Sequence, residues 1–144
     1  MEQDCGRRFL VVEDDANDAF LIRRAFEALP DVFVFVCRNT SEARAYLQGA
    51  GMYANRKEFP FPEAVVCDVR LGDESGVHFL GWIRENPKLR DLPVIMLTGS
   101  ASQREMDAAR GLGALRVLRK PADAQVLTQQ LLDVLAEICP SLTS

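Results

Sequence analysis

Histidine and long apolar runs are scarce in this 144-residue sequence, and its positive charges are outnumbered by its negative ones. The formal net charge is −4 at pH 7, which argues against nucleic acid as an electrostatic partner, because phosphate binding needs a basic surface. No apolar run approaches the roughly 20 residues of a membrane-spanning helix, and the sequence turns acidic before a secretion-signal core could form. We therefore predict a cytoplasmic protein that binds neither nucleic acid nor membrane.

Paired cysteine spacing is also missing. The four cysteines show no C-x-x-C pattern and the chain has one histidine, which argues against a structural zinc site. We predict reduced, mostly packed thiols at Cys5, Cys37, Cys67 and Cys139.

The composition that remains is that of a globular domain. The sequence is 48% hydrophobic and 26% charged, a balance typical of folded soluble proteins rather than disordered ones. A chain of this length accommodates one domain with one sizeable core. We predict a single domain over residues 1–144, with its core at about residues 8–139 and no output domain.

Five apolar runs of strand length recur along the chain, each followed by helical periodicity. Their hydrophobicity is continuous rather than alternating, which is typical of strands buried on both faces of a parallel sheet. Because crossovers between parallel strands are right-handed, this alternation predicts an α/β fold, a doubly wound (βα)5 sheet with helices on both faces. The predicted strands cover residues 9–12, 32–36, 64–67, 94–97 and 114–118.

Capping residues mark the starts of the predicted helices. Asp15 and Asp18 are interpreted as the N-terminal cap and a first-turn charge of the first helix rather than as metal ligands. Further candidate caps are Asn39 with Glu42, Ser75, either Ser100 with Gln103 or Ser102 with Glu105, and Asp123.

Polar residues stand at the ends of four predicted strands. Glu13 and Asp14 follow the first strand, Asp68 the third, Thr98 ends the fourth and Lys120 follows the fifth. Ligands of doubly wound sheets bind at the carboxyl ends of the strands. We therefore expect these side chains to meet at one edge of the sheet.

A carboxylate after the apolar run 64–67 is costly to bury unless it is paired or bound. Carboxylates brought together also repel one another unless a cation intervenes. A small hard dication such as Mg²⁺ prefers these oxygen ligands. A metal, an ammonium and a hydroxyl around one carboxylate suit a nucleophile that accepts a phosphoryl group.

The sequence resembles the response-regulator receiver domains of bacterial two-component signalling. The segments that carry the resemblance are "FLVVEDD", "VVCDVRL", "PVIMLTG" and "LRKP", in this order and each at the end of a predicted strand. The resemblance covers nearly the whole chain. It implies the flavodoxin-like three-layer sandwich, with a parallel five-stranded sheet of strand order 2-1-3-4-5.

The resemblance also implies a role for each strand-end residue. Asp68 would be phosphorylated by a sensor histidine kinase or a histidine phosphotransfer protein. Mg²⁺, with Mn²⁺ as an alternative, would be bound by the carboxylates of Asp14 and Asp68, by Glu13 through a water molecule and by the backbone carbonyl of Arg70. Thr98 would bond the phosphoryl group and Lys120 would pair with it. The Lys120–Pro121 peptide is often cis in this family.

Two positions depart from the family pattern. The loop after Asp68 reads "VRLGDESG", where the family usually has a proline before the acidic residue. The position that often carries an aromatic switch residue is Val117, so signal output has to use another device, such as movement of the fourth helix and fifth strand. We expect Arg70 and Ser100 to tune the lifetime of the phosphoryl group.

Segment 48–62 and the start "EDDANDAFLIRRAF" resemble single-domain regulators that pair with phytochrome-type kinases, some of which form homodimers. The leading interpretation is a stand-alone signalling module that performs chemistry only on itself and is not an enzyme. One alternative is a receiver-like adaptor independent of phosphorylation. Another is an aspartyl-phosphate phosphatase or phosphotransferase, although Arg70 stands where such enzymes commonly have a second carboxylate. No Gly-rich loop follows the first strand, which disfavours a nucleotide or flavin binder.

Overall fold

Five strands alternate with five α-helices in the computed structural model, which describes residues 7–138. A short 3₁₀ helix, Gly51–Ala54, precedes the third strand. The strands are β1 (Arg8–Val12), β2 (Phe33–Cys37), β3 (Ala64–Cys67), β4 (Val94–Thr98) and β5 (Arg116–Arg119). The helices are α1 (Ala16–Glu27), α2 (Thr40–Gln48), α3 (Gly76–Glu85), α4 (Gln103–Gly111) and α5 (Ala124–Ile138).

The strands form one parallel sheet in the order β2-β1-β3-β4-β5. The predicted fold class and strand order are thereby confirmed. The order reverses between β1 and β3, so the carboxyl ends of these two neighbouring strands flank the position where such sheets bind ligands.

Successive residues of each strand enter two separate cores, because side chains alternate across a sheet. Leu10, Val12 and Cys67 pack with α2, α3 and α4 on one face. Phe9 and Val11 pack with α1 and α5 on the other. This burial on both faces explains why the strands read as continuous apolar runs.

The predicted helix caps are present. Asp15 accepts from Asp18 N at 2.9 Å and Ser75 from Val77 N at 3.1 Å. Of the two alternatives for α4, Ser102 with Glu105 forms the reciprocal capping box. At α2, Asn39 accepts from Glu42 N at 2.8 Å, but Glu42 returns its bond to Arg38 N rather than to Asn39 N.

Two strands are shifted relative to the prediction. β2 begins at Phe33 rather than at residue 32 and includes Cys37. β5 begins at Arg116 because Ala114 N bonds Ala109 O, which completes the end of α4. The predictions for Cys5 and Cys139, and for the outer limits of the domain, fall outside the described residues. Cys37 and Cys67 are buried and free of disulfides, as predicted.

The long connection between α2 and β3 is held to the sheet by aromatic residues. Gly49 ends α2 with a left-handed backbone (φ 64°), a conformation that favours glycine. The rings of Phe35, Tyr46, Tyr53 and Phe59 then lie in mutual contact, mostly edge to face.

Arg56 fastens the same connection. Its guanidinium donates to Leu47 O and Phe59 O, each at 3.1 Å, and lies 5.6 Å from the ring centres of Tyr46 and Phe61. The connection reaches β3 at the end of the sheet where the strands begin, and Glu63 N donates to Arg8 O there at 2.7 Å. We call this end the amino edge and the other the carboxyl edge. Between residues 7 and 138, no helix has the length and apolar character needed to cross a bilayer.

Candidate functional site

Buried polar side chains gather at the carboxyl edge. Within residues 7–138, the buried polar or charged residues are Glu13, Thr40, Asp68 and Thr98. Each lies at or just beyond the carboxyl end of a strand: β1, β2, β3 and β4 in turn. Because buried polar groups are costly unless they are bonded, this edge is the candidate functional site.

Three carboxylates form the centre of the site. One oxygen from each of Glu13, Asp14 and Asp68 lies within 4.8 Å of the other two. The sheet holds two of these residues in place, since Glu13 N donates to Cys37 O at 3.0 Å and Asp68 N to Val12 O at 3.1 Å. Burial raises the pKa of Glu13 to about 7 against the opposing bond from Lys120, and the negative charge of Asp68 adds to the rise.

Lys120 joins these carboxylates from β5. Its Nζ donates to Glu13 Oε1 at 2.7 Å, to Asp68 Oδ2 at 2.8 Å and to Asp18 Oδ2 at 2.8 Å. Burial alone lowers a lysine pKa, but the bonds to Asp18, Asp68 and Glu13 outweigh it, so the pKa of Lys120 is raised. The lysine is therefore charged at neutral pH, and one ammonium leaves the group of four carboxylates with an excess of negative charge.

The arrangement fits a hard divalent cation. The donor set is entirely carboxylate oxygen, and Asp14 is exposed, which leaves room for water or phosphate oxygens as further ligands. Gly72 lies close to Asp14, because a Cβ at this position would stand 3.1 Å from Asp14 Oδ2. The absence of a side chain at Gly72 thus keeps open the space beside this carboxylate.

Thr98 ends β4, one strand away from Asp68. It is fully buried, and its Oγ1 accepts from Ser100 N at 3.3 Å. Its carbonyl accepts from Lys120 N at 2.7 Å, which links the last residue of β4 to the lysine. The sheet therefore brings Glu13, Asp14, Asp68, Thr98 and Lys120 to one edge, as the order of the motifs predicts.

The loop after Asp68 turns back towards β4 and α4. Arg70 N donates to Asp68 Oδ1 at 3.1 Å. The Arg70 side chain donates to Ser100 O at 3.3 Å and to Glu105 Oε1 at 2.9 Å. Arg70 also forms an antiparallel bridge with Ser75, and Gly76 N bonds Val69 O at 2.7 Å, so the loop is closed on itself.

Two contributions were not anticipated from the sequence. Asp18 is the predicted first-turn charge of α1, but it also binds Lys120. Asp18 lies about one turn after Asp15, on the side of α1 that faces the site. This position was the one sequence feature that could have indicated the contact with Lys120. The second is Thr40, whose backbone and hydroxyl bind Asp73 in the loop after β3. No motif in the sequence connects these two positions.

The structure also describes the Lys120–Pro121 peptide, Cys67 and Val117, for which the sequence raised expectations. Among residues 7–138 there is no cis peptide, so Lys120–Pro121 is trans. Cys67 packs in the core that contains α2, α3 and α4, and burial raises the pKa of its thiol well above the usual value. Val117 is half-buried against the same core.

Comparison with known proteins identifies the class. The family model of the response regulator receiver domain matches residues 9–132. The chain belongs to this family. Receiver domains act in two-component signalling, bind a divalent metal and interact with a phosphodonor such as a histidine kinase.

Three relatives illustrate the similarity. Response regulator Rcp1 of Synechocystis sp. is 31% identical over 109 residues, which make up 75% of this chain and 72% of Rcp1. The crystal structure of its Mn²⁺-bound form covers 90% of this chain and 91% of that one, with a TM-score of 0.77 and 26% identity. The phosphorylated cyanobacterial phytochrome response regulator RcpA has the same coverage, a TM-score of 0.81 and 27% identity. The phosphate regulon transcriptional regulatory protein PhoB of Escherichia coli is 29% identical over 137 residues, 94% of this chain but 54% of PhoB, so the chain spans about half of that relative.

Proposed function

We propose that this chain accepts a phosphoryl group on Asp68 in a magnesium-dependent reaction and signals through the resulting change in shape. The observation that carries the proposal is the contact of Lys120 Nζ with both Asp68 Oδ2 and Glu13 Oε1, beside a cluster of three carboxylates. One carboxylate thus has a fixed ammonium on one side and a cation-binding group on the other.

The transfer begins with attack by an Asp68 carboxylate oxygen on the phosphorus of a phosphohistidine. The phosphorus–nitrogen bond breaks as the phosphorus–oxygen bond forms, and the donor imidazole keeps the electron pair and takes a proton from water. Lys120 neutralises part of the negative charge on the transferred group, and the Thr98 hydroxyl donates to it. Asp14, Asp68, Glu13 through water and the Arg70 carbonyl would hold Mg²⁺, or Mn²⁺ in its place, and this ion supplies further neutralisation of charge.

The phosphodonor is a sensor histidine kinase or a histidine phosphotransfer protein, and similarity to Rcp1 and RcpA supports a phytochrome-type kinase. We further propose that the protein is a stand-alone cytoplasmic module that turns over no external substrate. A homodimer is part of the same proposal. If the following experiment detects no phosphorylation, it would favour the alternative of an adaptor that works without phosphorylation.

The test is incubation with acetyl phosphate and MgCl₂, followed by intact-protein mass spectrometry. The wild type is expected to gain one phosphoryl group, and Asp68→Asn or added EDTA to abolish the gain. Asp15→Asn is the matched control, because Asp15 caps α1 and asparagine caps helices equally well. A wild type that gains no phosphoryl group, or a gain that survives in Asp68→Asn, would overturn the proposal.

A further inference from the structure

Thr40 is a buried threonine with an acceptor outside its own helix. It is the first residue of α2 and 1% exposed. Its backbone N donates to Asp73 Oδ2 at 3.0 Å, and its Oγ1 lies 2.8 Å from the same oxygen and 2.5 Å from Glu74 Oε1. Through its two donors, one residue of α2 therefore holds the loop between β3 and α3.

A second carboxylate of that loop is held by the same helix. Glu74 pairs with Arg44 at 2.7 Å and also contacts His78. Burial acts to raise the pKa of Glu74, but the bonds from Arg44, Thr40 and His78 lower it to about 2. The Arg44 guanidinium is itself fixed, 5.2 Å from the ring centre of Trp82. The first turns of α2 thus bind two successive residues of the loop.

The other end of the loop lies against the metal-binding carboxylates. Arg70 N bonds Asp68 Oδ1 at 3.1 Å, and Gly72 approaches Asp14 so closely that a Cβ would lie 3.1 Å from its Oδ2. Residues 70–72 therefore contact the site while residues 73 and 74 are fixed to α2. Displacement of Asp73 would be transmitted through one intervening residue to Asp14.

The sequence of the loop gives a reason for constraints on its backbone. Gly72 stands directly before Asp73, where the resemblance leads one to expect a proline. Proline restricts its own backbone, whereas glycine has the widest conformational freedom of any residue. The loop is closed by its own bridge between Arg70 and Ser75, and the contacts from α2 add a second constraint at Asp73 and Glu74.

We propose that Thr40 is a positioning residue for the metal site, acting through Asp73 on the loop that lies against Asp14 and Asp68. The inference rests on the proposed function, in that it takes Asp14 and Asp68 as metal ligands. Groups that orient metal ligands contribute to metal affinity without touching the ion. Thr40 would be such a group, because its donors are directed to Asp73 and Glu74 rather than to Asp14 or Asp68.

The test is isothermal titration calorimetry of the full chain with MgCl₂. Thr40→Val, which keeps the shape and removes the hydroxyl, is expected to weaken Mg²⁺ binding about tenfold. Thr40→Ser restores the hydroxyl and should bind within about twofold of wild type. Thr128→Val is the matched control, because the Thr128 hydroxyl bonds only within α5, to Ala124 O at 3.0 Å. Equal affinities of wild type and Thr40→Val, or equal losses in the valine and serine variants, would overturn the inference.

A double-mutant comparison separates positioning from general loss of stability. Asp73→Ala removes both bonds between Thr40 and this residue, so it should weaken Mg²⁺ binding at least as much as Thr40→Val. The double variant should lose less than the sum of the two single losses. Additive losses would contradict the inference. Failure of acetyl phosphate to modify a wild type that binds Mg²⁺ would reject the proposed function alone, while the affinities would still decide the role of Thr40. A wild type that binds no Mg²⁺ would reject both.

Discussion

The two edges of the sheet carry ion pairs of opposite character. At the amino edge, Arg8 pairs with Glu63 at 2.7 Å, with side-chain exposures of 38% and 31%. At the carboxyl edge, Lys120 pairs with Glu13 and Asp68, with exposures of 12%, 1% and 9%. An exposed pair contributes little to stability and costs little, whereas buried charges are costly to hold together.

This difference shows that the energetically costly buried charges are placed at the carboxyl edge. The amino edge fixes its loops with aromatic rings and with Arg56, which bonds backbone carbonyls at low expense. The carboxyl edge concentrates the buried polar residues described within positions 7–138, including more carboxylates than Lys120 can neutralise. The contacts at the amino edge contribute to stability, and the proposed phosphoryl chemistry would use those at the carboxyl edge. Paired substitutions at the two edges test this division.

The largest expected effect is on phosphorylation, from Lys120→Met. Loss of the ammonium removes a fixed positive charge from the transferred group, and we expect the initial rate with acetyl phosphate to fall by about 10²- to 10³-fold. Lys88→Met is the control, because Lys88 is an exposed lysine beside the amino edge. Intact-mass time courses give both rates, and a fall of less than about tenfold for Lys120→Met would contradict the assigned role.

The next effect is on stability, from Gly76→Ala. A Cβ at Gly76 would lie 1.9 Å from the carbonyl oxygen of Asp68, so the backbone has to shift at the start of α3, and we expect a loss of about 3 kcal/mol in the free energy of unfolding. Gly111→Ala, at the end of α4 that faces the amino edge, has no atom within 4 Å of its new Cβ and should not destabilise. Urea unfolding measures both, and equal midpoints would show that the carboxyl edge is not tightly packed at this point.

A smaller loss is expected from Arg56→Met at the amino edge. The variant keeps the aliphatic stem but loses the bonds to Leu47 O and Phe59 O, which predicts a loss of about 1–2 kcal/mol in the free energy of unfolding. Phosphorylation by acetyl phosphate should stay at the wild-type rate. Lys57→Met removes a neighbouring exposed charge and serves as the control. A slower phosphorylation rate in Arg56→Met would show that the two edges are coupled.

A further prediction concerns the pH dependence of stability contributed by Glu74. Its pKa in the folded protein is about 2, below the ordinary value of 4.5, so the folded state favours the ionised form. The stabilisation is complete above about pH 4.5 and is lost as the pH falls from 4.5 towards 2. Urea unfolding should therefore find Glu74→Gln less stable than wild type at pH 7, with a difference that shrinks in this acid range. A difference that does not change with pH would contradict the assignment.

Much of this molecule follows from patterns local in sequence. Continuous apolar runs identify the five strands because parallel strands are buried on both faces, and the capping residues locate the starts of the helices. The strand-end residues predicted to meet do so at the carboxyl edge, with Lys120 bonded to Glu13 and Asp68. Their assigned roles in phosphorylation and metal binding stay predictions until the experiments above are done.

The parts that were not predicted depend on contacts between distant segments. Asp18 reads as an ordinary first-turn carboxylate, and only the packing of α1 beside the end of β5 brings it to Lys120. Thr40 reads as a helix-start residue, and its contact with Asp73 exists because the sheet places β2 and β3 on either side of β1. Contacts of this kind between distant segments leave no periodicity or spacing in the sequence from which they could be predicted.

A single oxygen atom, Glu105 Oε1, serves two partners. It accepts from Ser102 N at 2.9 Å, which completes the cap of α4, and from Arg70 Nη2 at 2.9 Å. A carboxylate in the first turn stabilises a helix through the helix dipole, and a paired cation offsets that charge. Arg70, two residues after Asp68, therefore offsets part of the charge of Glu105 at the start of α4. This ion pair joins the loop that follows Asp68 to the first turn of α4, and salt would weaken it because both side chains are partly exposed.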